Sequence, residues 1–141
     1  MYKQIDIVLL IFKINFMPRI VHFEIPAENP EKVSKFYVDT FGWEIKKWDG
    51  PMEYWLVKTG DKKEMGIDGG IYKKGDNKMR EVVNTVGVMD IKESVEMVKK
   101  NGGSVMGEVN EIPGVGLFVY AMDPEGNRFG IMQPFPDAKM M

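Results

Sequence analysis

Gly42 is answered sixty residues later by Gly102, and Gly70–Ile71 by Gly130–Ile131 at the same spacing. Around these markers the chain makes one pattern twice: strand, helix, then three strands. That is a duplication within a chain of 141 residues, too short for a long repeat array or for two full-sized domains. A strand–helix–three-strand unit covers one sheet face with its own helix and leaves the other uncovered. Two such units can curl their free faces around a shared cleft.

The elements of each pass are readable. VHFEIP alternates with period two, which sets Val21, Phe23 and Ile25 on one face and His22 and Glu24 on the other. Asn29 is placed to cap a helix with Pro30 at its first position. Val33, Phe36, Tyr37 and Phe41 form its apolar stripe and Gly42 ends it. Strands are predicted near 43–48, 53–58 and 65–72, separated by DGP and TGDKK turns. In the second pass VVNTVGV turns Val86 and Val88 one way and Thr85 the other. Asp90 and Glu93 form a capping box, Val95 and Val98 supply the helix stripe, and Gly102 ends it. Strands near 104–109, 117–122 and 128–133 follow, the last two joined by the DPEGN turn.

The chain has no cysteine and one histidine. Disulfides, thiolate metal sites and cysteine nucleophiles are excluded, as is any metal site needing two imidazoles from one chain. A net charge of −2 lacks the basic footprint of nucleic-acid binding, which favours a small-molecule partner. The first sixteen residues read differently from the rest. Their apolar run Ile7–Phe12 is too short to span a bilayer, which takes roughly 20 residues, and no small-residue cleavage site follows it. Residues 1–16 are therefore expected to be an N-terminal extension arising from a misassigned start, 17–134 the domain, and 135–141 a tail. The expected setting is cytoplasmic, with no membrane partner.

HFEIPAENPEKVSKFYVDTFGWEI, EYWLVKTGD and IPGVGLFVYAMDPEGNRFGIMQ, together with the duplication, resemble the vicinal oxygen chelate superfamily. That superfamily includes glyoxalase I, bleomycin-resistance proteins and extradiol dioxygenases. The resemblance runs from about Met17 to Pro134. It implies an α+β fold of two tandem βαβββ modules forming a cup-shaped mixed sheet with the helices outside, and a homodimer. In the enzymes it implies a divalent metal held by cup-facing His and Glu side chains. Carried over by position, His22 matches the first-strand histidine. The slot equivalent to it falls at or near Val83, with Thr85 the other same-face candidate. The last-strand carboxylate slot is Gly130, and its first-half counterpart is Gly69 or Gly70. One histidine and a nearby carboxylate give at most two ligands, so no metal and no cofactor are expected.

The cleft is then expected to carry His22 and Glu24 as the candidate catalytic pair, with Tyr54, Trp55, Phe118, Tyr120, Arg128 and Met132 as candidate substrate-binding residues. Two readings of the pair stand side by side. In one, it moves a proton or hydrogen-bonds a ligand; in the other, the two side chains satisfy each other and the local backbone. A charged carboxylate would raise the imidazole pKa and burial would lower it. Trp43 and Phe36 are expected in the core, with most methionines as gap-filling core residues. The function follows as a metal-independent cleft that binds or transforms a small organic molecule. The alternatives are an antibiotic-type sequestering protein, or a metal-dependent lyase or dioxygenase with atypical ligands.

Overall fold

The computed structural model describes residues 18–75 and 80–138; the reading of residues 1–16 lies outside them. The chain order is β1 (Arg19–Ala27), α1 (Pro30–Phe41), β2 (Glu44–Lys47), β3 (Tyr54–Lys58) and β4 (Gly69–Lys73), then β5 (Val83–Gly87), α2 (Ile91–Lys100), β6 (Ser104–Ile112), β7 (Gly116–Met122) and β8 (Arg128–Pro134). This is the expected pair of βαβββ units. All eight strands form one mixed sheet in the order β2-β3-β4-β1-β5-β8-β7-β6, so each module supplies four neighbouring strands and the modules meet where β1 pairs antiparallel with β5.

Local chemistry sets the boundaries. The Asn29 side chain accepts from the Lys32 amide, and Gly42 closes α1 in the left-handed region at φ 73°, where its amide reaches the Val38 carbonyl. The Asp90 carboxylate accepts from the Glu93 amide at the start of α2. The fourth strand of the first module begins at Gly69, later than its apolar sequence suggests. Ahead of it the Asp68 carboxylate is taken up by the amide and hydroxyl of Thr59. β6 runs on to Ile112, with a register shift between Met106 and Asn110 around Gly107 at φ 84°.

Each helix covers its own half of the sheet. Ala27, Trp55, Val57 and Ile71 form one buried cluster, joined by Phe23, Val33 and Trp43; Val88, Ile91, Val119, Ala121 and Ile131 form the other. Two positions depart from the predicted stripe. Phe36 and Phe41 are 57% and 62% exposed. A twelve-residue helix lying on a sheet buries a narrower strip than its apolar pattern offers, and Val33 takes it. Tyr37 instead stacks on Trp43, with ring centroids 4.8 Å apart. The methionines also differ from expectation. Met132 is buried, but Met52, Met65, Met97 and Met106 are exposed, and Met52, Met65 and Met106 face the cleft described below.

Candidate functional site

The free face of the sheet encloses a cleft of about 1520 Å³, reached from β1, β3–β5 and the β6–β8 side. Its floor is set by register. His22 pairs with Thr85 and Glu24 with Val83 across the β1–β5 seam, and Val21 is the extra residue of a bulge between Ile20 and His22. Alternation therefore sends His22, Glu24, Val83 and Thr85 to the same face. Glu24 is opposite Gly70 on its other side, as Thr85 is opposite Gly130. Thr85 is thus the second-half counterpart of Glu24, and Val83 that of His22.

His22 and Glu24 do not bond each other. Nε2 of His22 lies 2.6 Å from the Tyr54 hydroxyl, while the Tyr120 hydroxyl donates to Oε1 of Glu24 at 2.8 Å. Burial dominates the imidazole and lowers its pKa from 6.5 to about 4. The opposing pull comes from Asp68. Burial also raises the Glu24 pKa, against the lowering effect of Tyr120 and then of Tyr54. The phenols of Tyr54 and Tyr120 are pushed up, first by burial and then by the Glu24 charge. Near neutral pH the imidazole is uncharged, and His22 and Glu24 are each paired with a tyrosine hydroxyl.

Tyr54, Phe118, Tyr120 and Met132 line this cleft as expected from the sequence, joined by Trp48 on the wall. Two expected residues do not. Trp55 points to the opposite face from its neighbour Tyr54 and is buried with Ala27, Val57 and Ile71, with the Lys47 amine 5.5 Å from its ring centre. Arg128 leaves the cleft wall to Met132 and Tyr120: its side chain is 13% exposed and turns to Glu81, with Nε 3.5 Å from the carboxylate. Asp68 is a floor residue that sequence reasoning did not place there, and Thr85 entered that reasoning only as the alternative to Val83 for the counterpart of His22. The expected strand over 65–72 would have set Asp68 on the face of Gly70, but β4 begins only at Gly69; for Thr85 the signal was the alternation of VNTVG.

The divalent ion that the family resemblance implies does not fit these residues. A Cβ at Gly70 would overlap the Tyr54 phenol, and one at Gly130 would lie 2.7 Å from the Phe118 ring and 2.8 Å from Oγ1 of Thr85. Aromatic rings therefore occupy the space into which carboxylate side chains from those positions would grow. Among the described residues no three His, Asp or Glu side chains converge as a metal-holding group. The register makes this replacement symmetric: Tyr54 in the first half answers to Phe118 in the second, and Leu56 to Tyr120.

A family model described as Bleomycin resistance protein-like N-terminal matches residues 19–60. A Glyoxylase-like domain-containing protein of Didymella fabae is 32% identical over 116 residues, covering 77% of this chain and 88% of that protein. Among solved structures, methylmalonyl-CoA epimerase from Mycobacterium tuberculosis superposes with a TM-score of 0.65 at 12% identity, over 83% of this chain and 88% of that one. A hypothetical protein from Bacillus halodurans C-125 gives 0.68 at 14% identity, over 86% and 97%. A methylmalonyl-CoA epimerase in complex with methylmalonyl-CoA and NH4+ gives 0.67 at 15%, over 87% and 99%. At these identities the structures speak for the fold. With the Didymella relative and the matched family model, they establish that this chain belongs to the vicinal oxygen chelate superfamily, as a glyoxalase- and bleomycin-resistance-like member.

Proposed function

We propose that the cleft binds a small organic molecule without a metal ion, its apolar and aromatic walls taking the body of the ligand and its floor hydrogen-bonding a polar end. The observation that carries this reading is the pairing of His22 with Tyr54 and of Glu24 with Tyr120 at the bottom of a cleft of about 1520 Å³. Such a site combines mostly apolar walls with a few placed polar groups, the usual constitution of a ligand pocket. Exposed Met52, Met65 and Met106 on the walls add side chains that adapt to ligand shape. The experiment is native mass spectrometry of the full-length protein, which weighs any retained compound and any ion together. Retention of one organic species, lost on substitution of His22 and Glu24, is the expected result. Stoichiometric zinc, nickel, iron or manganese would overturn the metal-independent part.

A second reading has its own support. A carboxyl group held by Tyr120 beside an uncharged imidazole is suited to moving a proton on an oxygenated substrate. The variants divide the two. For a binding protein, His22→Ala shifts affinity modestly and the compound is never converted. For an enzyme, conversion is lost while affinity is largely kept. We also read the protein as a cytoplasmic homodimer: its lack of cysteine suits a reducing compartment, and the family resemblance implies the dimer. Light scattering of the full chain tests the oligomeric part. No described helix is long and apolar enough to cross a membrane.

A further inference from the structure

We infer that the head of the cleft, at Thr85 beside His22, is the seat for an uncharged oxygen-bearing group, an alcohol, phenol or carbonyl, on an otherwise apolar molecule. The inference rests on the binding reading above and names its ligand class. Thr85 is 1% exposed and lines the cleft, yet its hydroxyl has no hydrogen-bond partner among the described residues. A buried hydroxyl left unpaired is destabilising, and the floor around it offers no relief. His22 is taken by Tyr54 and Glu24 by Tyr120, while Asp68 is taken by the amide and hydroxyl of Thr59. Gly130 has no side chain to satisfy the Thr85 hydroxyl, and that hydroxyl and the Phe118 ring fill the space that a side chain there would take. The Phe118 ring stands beside the hydroxyl and meets Tyr120 edge-on at 4.7 Å, so the inferred seat requires that ring to turn aside.

The charges around the floor decide against an ionic head. Its carboxylates, Glu24 and Asp68, would oppose an anion, and the nearby cation Arg128, although its Nε and Nη1 lack hydrogen-bond partners among the described residues, stands outside the cleft lining with Nε 3.5 Å from Glu81. Arg19, Lys62, Lys73 and Lys74 are the cations among the lining residues; Lys73 and Lys74 stand at the strand end beyond β4's buried glycines, and Lys73 is 3.7 Å from Glu53. Glu24 and Asp68 each hold a protein hydrogen bond on one carboxylate oxygen, from Tyr120 and from the Thr59 amide, and a neutral hydroxyl such as that of Thr85 gives a cation no charge partner of its own. An uncharged hydroxyl or carbonyl supplies what Thr85 lacks at the least desolvation cost.

The test uses the full chain and three probes with one ring system: naphthalen-2-ol, 2-naphthoate and 2-naphthylmethylammonium, titrated by calorimetry with the site mapped by amide chemical shifts. The expected result is that naphthalen-2-ol binds in the cleft at least about tenfold more tightly than either ion. Thr85→Val should weaken it about tenfold, the equivalent of one hydrogen bond, without lowering Tm. Thr85→Ser, which keeps the hydroxyl, should stay near wild type. Equal or tighter binding of the naphthoate or the ammonium probe, or unchanged affinity in Thr85→Val, would overturn the assignment while leaving the binding reading intact. Failure of all three probes to enter the cleft would count against the binding reading itself and take this inference with it.

Discussion

The Tyr54 hydroxyl lies 2.6 Å from Nε2 of His22, the one histidine in the chain. A single imidazole gives an uncrowded NMR signal, and its titration separates two causes of its state. Burial is the larger influence, so His22 should stay neutral down to about pH 4 in the wild type. It should remain depressed below 6.5 in Tyr54→Phe, because removing the hydroxyl does not expose the ring. The same variant leaves Nε2 without its partner and should cost about 1–3 kcal/mol of stability by urea denaturation. An imidazole that titrates near 6.5 in the folded wild type would show that the ring is solvated and the pairing loose.

His22 and Glu24 pull the pH dependence of stability in opposite directions. Below pH 6.5 the unfolded chain protonates its histidine while the folded chain does not until about 4. Stability therefore falls as pH drops through that window, by on the order of 3 kcal/mol for this group alone. Glu24 has the reverse sign. Its folded pKa is raised above 4.5, so between 4.5 and that raised value the folded state binds more protons and stability falls as pH rises. Glu24→Gln keeps an amide oxygen for Tyr120 and removes the second effect. The variant should have a higher Tm than wild type at pH 8 and a steeper loss on acidification from 6.5 to 4. A Tm at pH 8 below that of wild type would mean that ionised Glu24 is stabilised by contacts stronger than the burial that opposes it.

Much of this arrangement was legible in the residues. The duplication of Gly42/Gly102 and Gly70/Gly130 gave the module boundaries, because turns and close approaches are where glycine is required. Alternation in VHFEIP gave the shared face of His22 and Glu24. Trp55 was misplaced for want of the same rule: it follows Tyr54 directly, so only one of the two can face the cleft. Arg128 was assigned to the correct face, but a side chain that long turns to whichever carboxylate is near, and Glu81 is distant from it in sequence. The hydrogen-bond partners of His22 and Glu24 come from β3 and β7, thirty-two and ninety-six residues away, and no local pattern announces such pairings.

The outer face of α1 gives a contrast in burial that mutation can read. Phe36 and Phe41 are exposed, so truncation loses little that folding had hidden from water. Phe36→Ala should change stability by no more than about 0.5 kcal/mol, the usual range for a surface position. Ile71→Ala, at a site with no exposure beneath the same helix, should cost about 2–5 kcal/mol through lost burial and a residual cavity. A Phe36→Ala loss approaching that of Ile71→Ala in thermal or chemical unfolding would mean that this face is covered in solution.

Gly70 and Tyr54 form the other paired test, since each position is constrained by the other. A methyl group at residue 70 would overlap both the hydroxyl and the ring of Tyr54, and the rigid phenol can yield only by leaving His22. Gly70→Ala should therefore cost about 1–3 kcal/mol, the usual penalty for overpacking. It should also move the His22 NMR signals, which a purely local backbone effect at β4 would not do. Tyr54→Ala removes the obstacle, and the methyl then enters vacated space. The double variant should be more stable than the sum of the single losses predicts, by at least about 1 kcal/mol in a double-mutant cycle. Additive losses would mean that the ring is free to move aside, and that glycine at residue 70 serves the strand rather than the tyrosine. Coupling of the expected sign would tie the missing side chain at Gly70 to the phenol that holds the imidazole.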